Sequence, residues 1–531
     1  MKVINEVLLL ETISQQVYKA VGKPKDYFEV AAVLESMGYT DRQVKDVSGY
    51  KDVFELSKKI LDLLNCEKEK TNCGQNDQHS GYEIRNIIID IIRGMLSACP
   101  LLISMFSVFI INFSLWSFMD NTVTGLEKAT AIAFATIMSM IVSGGFAQVF
   151  LRKGYSFLEQ NYYKLIWEAH LGYLKTGIVT ASCLGGILGI LGIFTGIYKL
   201  ENILMFNLYF ILLTAIWLSI PVTNFLKAEI LFVVNMLLSI ALVYILHQIL
   251  HINITYSQVV AMTFFIVFHS IALRIVIYFL KKRNRENQKE AIYKPRMLIN
   301  MFLLAPYFLY GLMYYIMVFI DRVIAWSANA RDILESVIRI KGEYELGMNW
   351  GILAVLISTL FMEIYVKKFI NNVFQAKKEF KITEHEGFIK TNIMQFLNYT
   401  TVFFILSILG TVISIEIING VISHYNIELS AYFSGVSEMT FKVSIIGYLL
   451  IGAGLLNNIY LLYFSQGLLI LKALSVSIGA NIAVGFIFSR MFDYYFAVFG
   501  FLAGAVSFFA VSLYYTYKVI NSLDYYFYKS T

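Results

Sequence analysis

The sequence predicts an all-α, polytopic membrane protein: about twelve transmembrane helices in two six-helix bundles, preceded by a small N-terminal helical cytoplasmic module. Three observations carry that prediction. The 531 residues are 58% hydrophobic and only 15% charged, more apolar than a water-soluble chain of this length requires. Apolar runs of roughly 18 to 25 residues recur without the alternation of barrel strands. Between the sixth and seventh run lies KKRNRENQKEAIYKPRM, a basic cytoplasmic linker over 281–297, which divides the hydrophobic chain into 86–280 and 298–531.

Residues 1–85 are of mixed charge with helical periodicity. Val30, Val33, Leu34 and Met37 share one helical face as far as Gly38, and Val53, Leu56, Ile60 and Leu63 share another. Thr40 or Asp41, and Asp52, are placed as N-caps. The following CEKEKTNCGQNDQHSG has no periodicity and reads as a tether. Its Cys66, Cys73 and His79 lack a fourth ligand and the tight spacing of a zinc site, so no metal is expected and free, reduced thiols are.

The first six spans fall near 95–118, 129–151, 174–197, 202–224, 228–250 and 256–280. The second six fall near 298–324, 350–370, 395–419, 441–464, 468–489 and 494–518. The first run starts too late for a cleaved signal peptide. The linker lysines and arginines, together with Arg152, Lys153, Lys164, Lys377, Lys378, Lys381 and Lys390, lie on one side, whereas 250–256 and 420–440 contain no Lys or Arg. This placement puts both termini in the cytoplasm of a cell-membrane protein, with 327–349 as an outer loop of mixed charge. The net charge of +6 therefore reports topology and not nucleic-acid binding.

Within the spans, Gly185, Gly189, Gly192 and Gly196 form a small-residue stripe suited to close helix packing, and Gly500 and Gly504 repeat it. Ser139, Ser143 and Gly144 with Gln148 form a mildly polar face, fit either to line a hydrated cavity or to bond its own backbone. The most polar span is 297–326, MLINMFLLAPYFLYGLMYYIMVFIDRVIAW, where Tyr307, Tyr310, Tyr314 and Asp321 fall at helical spacings on one face. Pro306 and Pro100 stand early in the first span of each half, as helix breaks expected beside a central pathway. Ionisable groups in or near spans are Arg274, Asp321, Arg322, Glu363, Glu416, Lys472, Arg490 and Asp493. Most can reach a membrane surface; Asp321 and Arg322 share the tyrosine helix and stand out, though adjacent residues diverge and need not pair.

No phosphate-binding loop, HExxH zinc pair or GxSxG elbow occurs, so neither an enzyme nor a cofactor is expected. The run APYFLYGLMYYIMVFIDRVIAW, with Pro306, Tyr307, Gly311, Tyr315, Asp321, Arg322 and Trp326, resembles the seventh-span region of the Pel exopolysaccharide transporter family (PelG-like). That family belongs to the superfamily of multidrug, oligosaccharidyl-lipid and polysaccharide exporters, and the likeness extends over roughly 85–525. It implies a V-shaped pair of bundles, a central cavity and export of a polysaccharide beside a cytoplasmic glycosyltransferase and membrane scaffold proteins. The N-terminal module departs from the family core.

The leading expectation is a transporter for a polysaccharide or lipid-linked glycan, whose tyrosine rings cover the apolar faces of sugars while Asp321 or Arg322 binds or gates at the outer end. One alternative is an ion-coupled small-molecule exporter of the same fold; it needs a carboxylate deep in a bundle, and the first six spans offer none. Another is a scaffold whose N-terminal module recruits a polysaccharide synthase.

Overall fold

The computed structural model describes residues 26–41, 50–66, 99–118, 123–283, 297–328, 339–352, 385–424 and 435–526, apart from single positions within them, and isolated residues elsewhere. Nearly all of the tether, most of the basic linker and most of the span expected at 350–370 lie outside the described residues. Among the described residues the chain is helical, with one isolated extended pairing between Phe113 and Phe118. Ten helices among the described residues are long and apolar enough to cross a membrane. The chain divides into one compact unit of 1–89, 367–399 and 520–523 and a second of 90–366, 400–519 and 524–531.

In the first unit, Asp26 caps α1 (Tyr27–Ser36) by accepting from the Glu29 amide at 2.8 Å. The helix stops before Gly38, which takes a φ of +93° that favours glycine. Asp52 caps α2 (Val53–Cys66) through the Glu55 amide at 2.8 Å, and Asp41 takes the Val53 amide at 3.0 Å. Asp41 therefore helps cap the later helix. Val30 and Leu34 meet Val53, Leu56 and Ile60 in a small core. Met37 lies beyond the last turn of α1 and is exposed, so that face ends at Leu34.

The second unit includes α3 (Cys99–Val108), which carries the buried Pro100. The sequence predicts a continuous span to 118, but the chain leaves helical geometry at Asn112, whose φ is +63°. Residues 112–118 are instead irregular, with 113–116 buried. Ser114 and Ser117 hydroxyls lie 2.7 Å apart, and the Gln258 amide donates to the Ser114 and Ser117 carbonyls at 2.8 and 3.0 Å. Tyr209 in turn donates to Gln258 at 2.7 Å. Non-helical backbone survives in a membrane protein where buried partners satisfy it in this way.

The remaining helices of the first half are α4 (Val123–Glu159), α5 (Tyr163–Thr195), α6 (Leu200–Phe225), α7 (Glu229–Tyr244, continued by a wider turn over Ile245–Ile249) and α8 (Ile254–Arg283). The first two outrun their apolar stretches, so Arg152 and Lys153 are helical and not in a loop. The core of this half gathers Val149 and Phe150 of α4, Phe210 and Leu213 of α6, and Phe265 of α8. The glycine stripe of α5 faces α6: a Cβ at Gly189 or Gly192 would lie 3.2 or 3.1 Å from Ile203.

In the second half, α9 (Met297–Leu303) and α10 (Ala305–Trp326) are separated at Leu304, which leaves Pro306 in the first turn of α10, where its missing amide hydrogen costs nothing. Helix α11 runs over 342–352. It is followed by α12 (His385–His424), α13 (Val436–Tyr463), α14 (Gly467–Met491) and α15 (Ala497–Asn521). Leu101, Leu102 and Met105 of α3 pack on Trp350 and Phe441, so the first apolar helix of the chain contacts the second half.

Candidate functional site

Helix α10 packs between α4 of the first half and α14 of the second. The contact with α4 is made backbone to backbone. A Cβ on Gly311 would run into the Gly144 carbonyl, and one on Gly145 would come within 2.8 Å of the Phe308 ring. Such small residues let two helices approach without intervening side chains. On the other side, the Asn481 amide donates to the Met317 carbonyl at 3.2 Å. Arg490 closes the end of α10, donating to the Ile324 carbonyl at 3.4 Å and to the Ser327 carbonyl and hydroxyl at 3.1 and 2.8 Å. A cation at a helix C-terminus satisfies carbonyls that have no partner in the helix.

The aromatic residues of α10 form a connected run. Tyr310 and Tyr314 ring centroids lie 6.5 Å apart, Tyr314 and Tyr315 5.3 Å, and Tyr315 stacks on Phe319 at 6.4 Å. Tyr310 is buried and lies beside Asn458 of α13. Tyr307, half-buried at the start of the helix, is set apart from this run, with the Arg152 guanidinium 5.2 Å from its ring centroid.

Asp321 and Arg322 are both buried and do diverge. Each takes its partners from α11. Tyr344 donates to Asp321 Oδ2 at 2.7 Å. Arg322 Nη1 donates to Glu345 at 2.5 Å and to Asn349 at 3.0 Å. Trp326 Nε1 completes the cluster by donating to the other Glu345 oxygen at 2.9 Å. Asp321 Oδ1, Arg322 Nε and Nη2 and the nearby Tyr448 hydroxyl are buried without a partner at hydrogen-bonding geometry. Two carboxylates against one guanidinium leave one negative charge, which a proton, a monovalent cation or a cationic group on a substrate can balance. Sequence reasoning missed Tyr344, Glu345 and Asn349 because 327–349 reads as an outer loop. The signal was available in their spacing, since 345 and 349 lie one helical turn apart.

Near this end, Lys341 lies 5.1 Å from the Tyr494 ring centroid, and Tyr494 donates to Glu343 at 3.2 Å. Partial burial, reinforced by Arg339 and opposed by Asp493, holds the Lys341 ammonium below the usual lysine range.

On α4, the Ser139 hydroxyl donates to the Thr136 carbonyl at 2.7 Å and accepts from Trp217 Nε1 at 3.1 Å. The Ser143 hydroxyl bonds back to the Met140 carbonyl at 3.3 Å. Gln148 is half-buried, with its Cγ against the position a Gly311 side chain would take. The structure thus brings Gln148 and Gly144 onto α10 and turns the Ser139 hydroxyl toward α6. Among the described residues no group of three or more metal-ligating side chains occurs.

Residues 91–528 match the family of PelG, exopolysaccharide exporter (EPS-E). No curated protein matches the chain. Solved structures are similar in fold at low sequence identity. A substituted form of the Vibrio cholerae MATE transporter VcmN aligns with a TM-score of 0.51 and 12% identity, covering 84% of this chain and 98% of that one. A MATE transporter in complex with MaD3S aligns with a TM-score of 0.50 and 13% identity, covering 82% and 96%. An outward-facing multidrug-resistance MATE transporter of the MOP superfamily gives 0.49 and 13%, again over 82% and 96%. Family match and helical architecture agree: the chain belongs to the PelG family of exopolysaccharide exporters and is built on a MATE-like transporter fold.

Proposed function

We propose that this exporter moves a polysaccharide, or a glycan still joined to lipid, across the cytoplasmic membrane along the α10 face bearing Tyr307, Tyr310 and Tyr314. The observation that carries this reading is the run of rings from Tyr310 to Phe319, which leads on one helix to the buried Asp321 and Arg322 cluster. Aromatic faces cover the apolar face of a pyranose, and the polar cluster beyond them binds or gates hydroxyl-rich or charged units. Gln148 supplies a polar contact from α4, while Ser139 and Ser143 shape the wall behind it. The interruption before Pro306 sets the starting direction of α10, and Pro100 serves as the corresponding helix break in the first half. The charge placement supports cytoplasmic termini, so that a cytoplasmic glycosyltransferase delivers the polymer at the inner mouth and membrane scaffold proteins hold the two together. This chain carries transport and no catalytic step.

The test is export of glycan by a variant with Tyr307, Tyr310 and Tyr314 all changed to Ala, at matched protein level in the membrane. Export is expected to be lost; undiminished export refutes the path. Deleting residues 1–80 should leave export measurable, whereas a purely recruiting scaffold would lose assembly altogether.

A further inference from the structure

We propose that Arg152 is a clip that holds the inner mouth of the exporter shut by joining the first half of the chain to the second, and that it opens to admit the glycan. The proposal rests on the export reading for what passes through, and on geometry for the clip itself.

Arg152 stands near the end of α4, eight residues past Gly144, on the side that charge placement assigns to the cytoplasm. Its side chain reaches three groups of the second half. Nη2 donates to the Ser465 hydroxyl at 2.6 Å, Nη1 donates to the Leu462 carbonyl at 3.4 Å, and the guanidinium lies over the Tyr307 ring at 5.2 Å. Leu462 is in the last turn of α13, where carbonyls carry partial negative charge. Ser465 is held at a φ of +57°, unusual for a residue with a side chain, in the short turn before α14. Beside it, a Cβ at Gly467 would come within 3.2 Å of Pro306. One planar group thus ties α4 to the ends of α10, α13 and α14. Two forked donors and a flat stacking face are properties of guanidinium that an ammonium lacks.

The surroundings suit a contact that opens. Arg152 is exposed, so releasing it returns the charge to water and strands nothing, unlike Arg322. Midway along α4, the backbones of Gly144 and Gly311 meet directly, flanked by the Tyr315 ring and Gln148, and this close point is one about which the two helices can turn. Toward the other end of α4, Thr130 accepts from the Ile340 amide at 3.2 Å, a second and separate tie between the halves. Rocking about the glycine contact therefore breaks one tie at a time, as alternating access requires.

The experiment uses the full chain with its four cysteines replaced and a reporter Gln148→Cys, one turn inward from Arg152. In inside-out vesicles a membrane-impermeant maleimide should label the reporter about tenfold faster in Arg152→Gln than in the parent, from the loss of charged hydrogen bonds and an exposed cation–π contact. Arg152→Lys, which keeps charge and solubility, should fall between them. Equal rates in all three overturn the proposal. In a second arm, Arg152→Cys and Ser465→Cys are bridged by a cleavable bifunctional thiol reagent. Glycan export should stop and return on cleavage; export that continues while the bridge is intact also overturns it. Labelling needs no glycan, so rate differences in the reporter forms, with export absent from the chain that retains Gln148, would count against the export reading alone.

Discussion

Replacing Arg322 by Met removes the cation of this buried cluster and leaves Asp321 and Glu345 facing each other's field with the neutral Tyr344, Trp326, Asn349 and Tyr448 nearby. Both carboxylates are then held without a counter-charge. Breaking one side of a buried ion pair costs about 3 to 5 kcal/mol, and the 2.5 Å contact to Glu345 with a second bond to Asn349 places Arg322 in that class. Glu345→Gln alone should cost less, about 2 to 3 kcal/mol, because Gln keeps an oxygen for one of the two donors. If the two act as one unit, the double variant should be no worse than Arg322→Met, giving a coupling of at least about 2 kcal/mol. Thermal unfolding of the detergent-purified protein, followed by intrinsic fluorescence of the tryptophans, measures this as a difference in midpoint. Single variants within about 0.5 kcal/mol of the parent, or strict additivity, would refute the assignment of this pair as a buried unit.

Two further outcomes follow from packing and backbone. Gly311→Ala should destabilise by about 1 to 3 kcal/mol, because the added carbon meets the Gly144 carbonyl and neither backbone can yield cheaply; an unchanged melting midpoint and full export would show that α4 and α10 are not in backbone contact. Gln258→Leu removes the side-chain donor shared by the Ser114 and Ser117 carbonyls, of which Ser117 keeps only the Ser114 amide, and should cost about 1 to 3 kcal/mol, read as easier proteolysis between 112 and 118. A cleavage pattern identical to the parent would refute that role.

Much of the architecture was legible from composition alone. Apolar runs of bilayer length define most of the spans, because an unpaired backbone polar group in lipid is too costly for any alternative but a helix or a closed barrel. The α10 face was also legible, since Tyr310 and Tyr314 are neighbours by helical spacing and the rings do meet. Tyr307 shares the spacing but not the surroundings: its ring lies under an arginine 155 positions earlier in the chain, and periodicity carries no information about that.

The sequence by itself determined the class, the approximate spans and the family. Those properties depend on local composition and on a transfer free energy that sums along the chain. Tertiary structure alone decided which polar groups meet. It ended the first apolar run at Asn112, because the serines there find Gln258 from a helix far along the chain. It turned a stretch read as loop into the partner helix of Asp321 and Arg322, because a buried charge is tolerated only where an opposite charge is brought to it, and the fold does the bringing.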